Sequence, residues 1–258
     1  MNSNLLALYG GTFDPIHLGH IQVAQAARSA CGFASVRLLP AADPPLRPPP
    51  GASAAHRVAM VRLACEGLPG FEVDDRELRR SGPSFTVDTL AEVRAEIGPE
   101  RPLVWLLGRD AISRIDRWHR HEALLRHAHF LVLDRPGWTD DGAGIGAVPA
   151  PAPAAVRAWV QAHRRDDLRQ LHMSPAGGLF FFDGPRIPIS ATAVRAACAT
   201  AGNGPSAGEP AAASLLAPNV WSYICRHGLY GACAELAPAS TGGTASSSAA
   251  PSSGPELQ

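Results

Sequence analysis

The chain has 258 residues, of which 46% are hydrophobic and 18% charged, enough to bury the core of one large α/β domain or two small ones. Its acidic and basic residues cancel to a formal net charge of zero, which argues against binding to nucleic acid or a membrane through bulk charge. All 23 lysine-or-arginine positions are arginine, so any side-chain cation that holds phosphate is Arg or His.

The cysteines and the apolar runs predict a cytoplasmic protein. The five cysteines are scattered without the CxxC spacing of a metal or redox site, which is typical of reduced thiols. The N-terminus lacks a basic leader, and no apolar run approaches the length of a transmembrane helix. We therefore expect a protein of the cytoplasm without a membrane partner.

Short apolar runs alternate with segments of helical periodicity along the first 200 residues. In the first half this pattern predicts strands at 5–9, 35–40 and 71–75, and helices at 21–30, 56–65 and 85–97. Ser84 is a candidate N-cap of the last of these helices. The proline-rich stretch between the second strand and the second helix is expected to be a loop, because proline supplies no ladder donor.

The second half continues the alternation. It predicts strands at 102–108, 129–134 and 179–184, and helices near 110–126 and at 191–199. Such alternation is typical of a parallel sheet with helices on both faces. We therefore predict a doubly wound α/β fold.

The remaining segments suggest a single domain over 1–231. A Gly/Pro-rich insert at 138–165 ends in a surface helix, 202–210 is a linker, and a short helix at about 214–228 packs back on the domain. Beyond that, 232–258 consists mainly of Ala, Ser, Gly, Thr and Pro. With so little to bury, this tail is expected to be disordered.

The stretch GGTFDPIHLGH, residues 10–20, joins a predicted strand to a predicted helix. Gly10 and Gly11 fall at the carboxyl end of the strand, where parallel sheets bind ligands, and His17 and His20 open the helix. A helix N-terminus attracts phosphate through its unpaired N–H groups and its dipole, and two imidazoles add donors. Spacing alone also allows the histidines merely to cap the helix, and Asp14 is read as a turn or capping residue.

Other interpretations of the histidines have less support. A zinc site at His17 and His20 would need further ligands, and the chain has no HExxH motif or cysteine cluster to supply them. The histidine-rich stretch at 118–129 mixes with Arg and Glu, which favours a solvated face. Neither GxGxxG nor a P-loop occurs.

Several motifs together resemble bacterial nicotinate-nucleotide adenylyltransferases. GGTFDPIHLGH resembles the HxGH signature of the nucleotidylyltransferase superfamily, and IPISATAVR at 187–195 resembles its second motif. The narrower resemblance is carried by five further stretches: PAADPPLRPPP, GPSFTVDTL, LLGRDAISRIDRWHRHEALL, LVLDRPG and YICRHGLY. It covers residues 5–231 in the right order.

The resemblance implies a Rossmann-like, doubly wound parallel sheet with a small C-terminal helical extension. It also implies transfer of AMP from ATP to nicotinate mononucleotide, giving deamido-NAD and pyrophosphate in NAD biosynthesis. The nucleotide's own phosphate attacks ATP, so no protein nucleophile is expected. Mg²⁺ would bind through ATP phosphates rather than through a protein site.

The resemblance also assigns residues to ATP. Its catalytic residues would be His17, His20 and Arg195, with the two histidines on the triphosphate. The backbone of the first loop would meet ATP at Gly10, Gly11, Thr12 and Phe13. The second helix start would hold the β- and γ-phosphates through Ser190, Thr192 and Arg195, with Ser190 also an N-cap. The adenosine pocket would be lined by Gly108, Asp110 and Arg135.

The nicotinate nucleotide would be bound by Arg47, Thr86 and Trp118. Thr86 matches the family residue that recognises the nicotinate carboxylate, and Trp118 matches the residue that stacks on the pyridine ring. The polar neighbours of Trp118 suggest that its side chain is exposed. Two positions depart from the family pattern. Leu46 replaces the usual histidine, and Phe85 replaces a common tyrosine, which puts the affinity for substrate in question.

Two other functions are considered. A sister transferase would use nicotinamide mononucleotide or phosphopantetheine, although Thr86 and Trp118 argue against the latter. A non-catalytic nucleotide sensor would have kept the fold and lost the reaction, although His17, His20 and Arg195 are all present. The sequence leaves the oligomeric state open.

Overall fold

A computed structural model describes residues 4–133, 152–201 and 211–232. Within them the chain forms a parallel six-stranded sheet in the order β3-β2-β1-β4-β5-β6. The strands are β1 Leu6–Gly11, β2 Ser35–Pro40, β3 Phe71–Val73, β4 Leu103–Gly108, β5 His129–Leu133 and β6 Leu179–Phe182. This confirms the predicted doubly wound, Rossmann-like α/β fold.

Helices cover both faces of the sheet and give each face its own apolar core. They are α1 Leu18–Cys31, α2 Ala54–Cys65, α3 Thr86–Ile97, α4 Arg109–Ile112, α5 Ala154–His163, α6 Ala191–Ala201 and α7 Pro218–Arg226. One core is formed with α1, α2, α6 and α7, and the other with α3, α4 and α5. The C-terminal helix α7 contributes the buried Val220 and Ile224, as the predicted helical extension requires.

The topology fixes where ligands can bind. Strand β1 lies between β2 and β4, with Tyr9 opposite both Leu38 and Leu106. The chain winds outward in one direction from β1 and in the other from β4. At such a reversal the crevice outside the carboxyl ends of the strands is the ordinary ligand site. Gly10, Gly11 and Gly108 all lie at this end.

Two predicted helices are interrupted. The segment near 110–126 contains α4 and two 3₁₀ helices, Ile115–Arg117 and His121–Arg126. Arg120 adopts a left-handed φ of 50°, which no continuous α-helix allows. In the second predicted helix, at about 214–228, the short 3₁₀ helix Ala213–Leu215 precedes α7. The C-cap residue of α7 is His227, and the next residue, Gly228, has a φ of 57°.

The domain boundaries remain partly predictions. The surface helix expected in the insert is α5, with Val156 and Val160 buried. Residues 134–151, 202–210 and 233–258 lie outside the described part, including Arg135, the linker and most of the tail. Ala232 was assigned to the tail but is completely buried, so the packed chain extends at least this far.

The described residues contain no helix long and apolar enough to cross a membrane.

Candidate active site

The glycine pair at the end of β1 is required by close packing. A Cβ at Gly10 would lie 2.2 Å from Cζ2 of Trp105, and one at Gly11 would lie 3.0 Å from Cζ of Phe13. Phe13 itself has a φ of 48° and a buried ring. Because neither glycine has a Cβ, the rings of Trp105 and Phe13 can pack directly against the loop that contains Thr12.

His17 and His20 form a stacked pair at the start of α1. Their ring centroids are 3.7 Å apart with an interplanar angle of 26°. The backbone N–H of His17, the N-cap residue, donates to Nδ1 of His20 over 3.3 Å. This bond requires an unprotonated Nδ1, so a neutral His20 carries its proton on Nε2. The capping interpretation is thus correct for His20, and it leaves the ring in the Nε2–H form.

Gly19 brings this helix start against the second one. A Cβ at Gly19 would lie 3.1 Å from Nδ1 of His17 and 3.3 Å from Cβ of Ile189. Ile189 immediately precedes the start of α6. The glycine between the histidines therefore allows two helix N-termini to approach each other.

The start of α6 has the predicted cap. The hydroxyl of Ser190 accepts a hydrogen bond from the backbone N–H of Ala193 over 3.1 Å. Arg195 Nη2 donates to the hydroxyl of Thr192 over 3.4 Å, and its Nη1 donates to the carbonyl of Asp14 over 2.7 Å. This last bond ties the second predicted phosphate site to the GTFDP loop of the first.

Asp14 has a larger role than the turn residue that the sequence suggested. Its carboxylate is buried and accepts hydrogen bonds from the backbone N–H groups of Gly51 (2.8 Å) and Ala52 (3.1 Å). The hydroxyl of Tyr230 donates to the same carboxylate over 2.7 Å, and Arg195 Nη1 lies 3.7 Å from Oδ2. Three distant parts of the chain therefore meet at the side chain of Asp14.

Sequence reasoning also missed Arg57 of α2, which is almost completely buried. Its guanidinium donates to the carbonyl oxygens of Thr12 (2.7 Å), Ala41 (2.6 Å), Ala42 (3.1 Å) and Ala52 (3.2 Å). Burial lowers the pKa of Arg57, and the Asp14 carboxylate partly offsets that effect. A signal existed, because Arg57 shares the buried face of α2 with Val61 and Ala64.

The proline-rich loop, residues 41–52, is thereby held from several sides. Ser84 does not cap α3, which begins at Thr86 with Phe85 as its N-cap residue. Instead its hydroxyl accepts hydrogen bonds from the backbone N–H groups of Ala42 (3.0 Å) and Asp43 (3.3 Å). The N-cap prediction was wrong because the Ser84 hydroxyl is hydrogen-bonded to this loop, 41 residues earlier in the sequence, rather than to the start of α3.

The same loop brings two predicted site residues together. Arg47 Nη2 lies 2.9 Å from Oδ2 of Asp110, which follows β4. Leu46 beside it is 45% exposed. The predicted ATP residue Asp110 and the predicted nicotinate residue Arg47 are therefore direct neighbours.

The segments that contain the other two predicted nicotinate residues, Thr86 and Trp118, contact each other. Thr86 is the first residue of α3, whose N-terminal N–H groups suit a carboxylate. The ring of Phe85 stacks on His119 with centroids 4.3 Å apart, which brings the start of α3 to the segment that contains Trp118. Trp118 is half-buried against the second core rather than exposed as its context suggested. Within the described ranges no group of three or more His, Cys, Asp or Glu side chains could hold a metal ion.

Comparison with known proteins identifies the family. The model of the Cytidylyltransferase-like family matches residues 8–197. A "Probable nicotinate-nucleotide adenylyltransferase" of Stenotrophomonas maltophilia is 44% identical over 88% of this chain and 97% of its own length. A protein of the same name from Aeromonas hydrophila is 42% identical over 87% and 96%.

A solved structure supports the fold. "Plasmodium falciparum nicotinic acid mononucleotide adenylyltransferase complexed with NaAD" superposes with a TM-score of 0.59 and 16% identity, over 88% of this chain and 97% of that one. At this identity the likeness concerns the fold alone. The sequence relatives carry the assignment further: the chain belongs to the Cytidylyltransferase-like family and, within it, to the nicotinate-nucleotide adenylyltransferases.

Proposed function

We propose that this enzyme transfers AMP from ATP to nicotinate mononucleotide, giving deamido-NAD and pyrophosphate. The relatives that share 42–44% of its sequence over nearly their whole length carry that name. One observation on the chain itself carries the proposal. The helix start with His17 and His20 and the helix start with Ser190, Thr192 and Arg195 are joined by the 2.7 Å bond from Arg195 to Asp14. Two adjacent helix N-termini suit a polyphosphate.

The reaction needs positioning and charge stabilisation rather than a protein nucleophile. A phosphate oxygen of nicotinate mononucleotide forms a bond to the α-phosphorus of ATP, and the bond from that phosphorus to the bridging oxygen of the β-phosphate breaks. Pyrophosphate leaves with the electron pair. Negative charge therefore builds up on the leaving phosphates, where imidazole N–H and guanidinium donors stabilise it.

The residues divide this work according to their positions. His20, with its proton on Nε2, would donate to a phosphate oxygen, and His17 would line the same helix start. Arg195, whose side chain is 36% exposed, would reach the β- and γ-phosphates together with Thr192 and the cap Ser190. The backbone of the loop from Gly10 to Phe13 would contact ATP.

Mg²⁺ is the divalent ion we propose for the reaction. When bound, it would neutralise phosphate charge and favour departure of pyrophosphate. The Asp14 carboxylate already accepts three hydrogen bonds, which supports an ion held by the phosphates of the nucleotide. The protein's own contribution would be His17, His20 and Arg195 around the phosphates.

The acceptor would bind between the proline-rich loop and α3. Thr86, with the N–H groups at the start of α3, would read the carboxylate, and Trp118 would offer its ring to the pyridine. Arg47 would meet the acceptor phosphate, and Asp110 and Gly108 would lie on the adenosine side. The 2.9 Å pair of Arg47 with Asp110 supports a common boundary between the two substrates.

The compartment proposed for this reaction is the cytoplasm. The four cysteines of the described residues are free thiols, which is usual in reducing compartments. Cell fractionation with an antibody to the chain would test this, and recovery in an exported fraction would contradict it.

Pyrophosphate release tests the function directly. The enzyme would be supplied with MgATP and either nicotinate or nicotinamide mononucleotide, in parallel. We expect release with the acid at a kcat/KM at least about tenfold above that with the amide, because the amide cannot offer a carboxylate to Thr86 and the start of α3. Equal or reversed preference would contradict the acceptor assignment, and no release with either would contradict the activity.

A further inference from the structure

Tyr230 lies 35 residues after Arg195 in the sequence, yet its hydroxyl donates a hydrogen bond to Asp14 in the GTFDP loop of the candidate active site. We infer that the hydroxyl of Tyr230, acting through Asp14, positions Arg195 for the triphosphate of ATP. Tyr230 is thus a positioning residue, and the inference rests on the proposed role of Arg195 toward ATP.

The geometry of Asp14 carries the inference. Oδ1 accepts from the Tyr230 hydroxyl (2.7 Å) and the Ala52 N–H (3.1 Å), while Oδ2 accepts from the Gly51 N–H (2.8 Å). The 2.7 Å bond from Tyr230 is the shortest of the three. Arg195 Nη1 is 3.7 Å from Oδ2 but 2.7 Å from the Asp14 carbonyl. The guanidinium is therefore held at the backbone of Asp14 rather than at its carboxylate.

Three donors on the carboxylate keep it from drawing Arg195 away from the substrate. Without the Tyr230 hydroxyl, Oδ1 would keep only the longer bond from Ala52, and its charge would be less well compensated. The two cations near this carboxylate in the described structure are Arg57 and Arg195. Arg57 is fixed by four carbonyl oxygens, so Arg195 is the cation that can respond. It would move onto the carboxylate and away from the triphosphate.

The backbone at Tyr230 and the glycine at position 51 both favour the contact between Tyr230 and Asp14. Tyr230 has a left-handed φ of 57°, which costs a non-glycine residue free energy and is sustained by surrounding contacts. A Cβ at Gly51 would lie 3.3 Å from Cε1 of Tyr230, so the glycine allows the ring to lie directly on the proline-rich loop. Burial and the bond to Asp14 both raise the pKa of Tyr230, which therefore stays a proton donor.

The test is Tyr230→Phe, which removes the hydroxyl and keeps the ring. Tyr223→Phe is the matched control, because its hydroxyl lies 2.9 Å from Nδ1 of His56, on the same C-terminal segment but without a contact to Asp14 among the described bonds. The dissociation constant of an α,β-methylene analogue of MgATP is measured for both variants, together with the KM values of both substrates and the thermal midpoint. We expect Tyr230→Phe to weaken analogue binding about tenfold and to leave the KM for nicotinate mononucleotide within about twofold. Tyr223→Phe should bind the analogue like the wild type.

A double-mutant cycle distinguishes positioning from a merely structural role. If Tyr230 acts through Arg195, Tyr230→Phe should add little to the loss of analogue affinity caused by Arg195→Ala. Full additivity, unchanged analogue affinity in Tyr230→Phe, or an equal rise of both KM values with a lowered thermal midpoint would each overturn the inference. Turnover of the wild type with nicotinate mononucleotide tests the proposed acceptor separately, since analogue binding does not depend on it.

Discussion

Arg47 and Asp110 form a 2.9 Å ion pair that joins the proline-rich loop to the end of β4. The family resemblance implies that Asp110 contacts ATP and that Arg47 contacts the nicotinate nucleotide. The Arg47 side chain is 58% exposed and that of Asp110 25%, and ion pairs this exposed contribute little to folding. The pair therefore acts mainly on the orientation of the two side chains, at the boundary that we propose between the ATP and acceptor pockets.

Removing the charge of Asp110 should affect both substrates. We expect Asp110→Asn to raise both KM values by about threefold to tenfold, because Arg47 loses its partner and the adenosine pocket loses a carboxylate. Steady-state kinetics with each substrate varied would measure this. Asp116→Asn, an exposed acid in the same segment, is the control and should behave like the wild type. A change in neither KM for Asp110→Asn would contradict the proposed boundary.

Leu46 offers a second test in the same loop. Because it is 45% exposed, Leu46→His should leave the thermal midpoint unchanged while it supplies an imidazole beside Arg47. We expect the KM for nicotinate mononucleotide to fall severalfold, by about the contribution of one charge-assisted hydrogen bond. Leu46→Ala separates loss of leucine from gain of imidazole. Identical kinetics of the two variants would show that no side chain at 46 meets the substrate.

The sequence predicted the central strands well because β4 and β5 are buried on both faces. A strand of this kind is a continuous apolar run, and β4 was predicted at 102–108 and occurs at Leu103–Gly108. The segment near 110–126 is helical as predicted, but its division into α4 and two 3₁₀ helices was not predicted. Periodicity reports which residues face the core, but it carries no information on the left-handed backbone of Arg120.

In the candidate site, too, some features could be predicted from the sequence and others could not. The HxGH and ISATAVR stretches are local in sequence, so their place at two helix starts could be predicted. The partners of Asp14 and Arg57 could not, because they are groups of distant loops, and the Tyr230 bond to Asp14 spans 216 residues. Such long-range bonds leave no periodic pattern. For Arg57 helical periodicity indicates only its place on the buried face of α2.

Arg57 should be a major determinant of stability. Lysine at this position offers one compact ammonium group in place of a planar fork that serves four carbonyl oxygens, so one or two buried carbonyls lose their donor. We expect Arg57→Lys to lower the free energy of unfolding by about 2–4 kcal/mol in urea titrations. Arg62→Lys on the same helix, where the side chain is 59% exposed, should change it by less than about 0.5 kcal/mol. Equal effects of the two substitutions would contradict this role.

Glu77 predicts a pH dependence of stability. It is buried and accepts a 2.7 Å hydrogen bond from the Thr89 hydroxyl, and burial raises its pKa above the ordinary 4.5. The folded state therefore binds its proton more tightly than the unfolded state, so the contribution to stability is greatest below pH 4.5 and falls as the pH rises through the folded pKa. Glu77→Gln should remove this pH-dependent loss of stability, because glutamine does not titrate.

We accordingly expect stability to fall less between about pH 4.5 and 7 in Glu77→Gln than in the wild type, as urea unfolding at several pH values would measure. Glu96→Gln is the opposite case. Hydrogen bonds from Arg76 and Arg37 lower the pKa of Glu96, so its contribution is present above the ordinary pKa of 4.5 and is lost as the pH falls. Parallel pH profiles of Glu77→Gln and the wild type would contradict the assigned burial effect.

His20 combines two roles that a single substitution can separate. Its Nδ1 accepts the backbone N–H of His17, while its Nε2 proton is proposed to stabilise the leaving pyrophosphate. Asparagine keeps an acceptor near Nδ1 but does not reproduce the Nε2–H donor at the same reach. We expect His20→Asn to retain the thermal midpoint within about 2 °C and to lower kcat by about 10²- to 10³-fold, as loss of one preorganised donor does.

His20→Ala should lose both roles, with the same fall in kcat and an additional loss of stability of about 1 kcal/mol from the missing cap. Single-turnover rates of pyrophosphate formation, with analogue binding measured in parallel, distinguish a chemical defect from weak binding. A kcat near that of the wild type in His20→Asn would mean that the imidazole only caps α1. A fall in kcat with nearly unchanged analogue affinity would place its action in the transition state, since uniform binding of ground and transition states cannot produce that split.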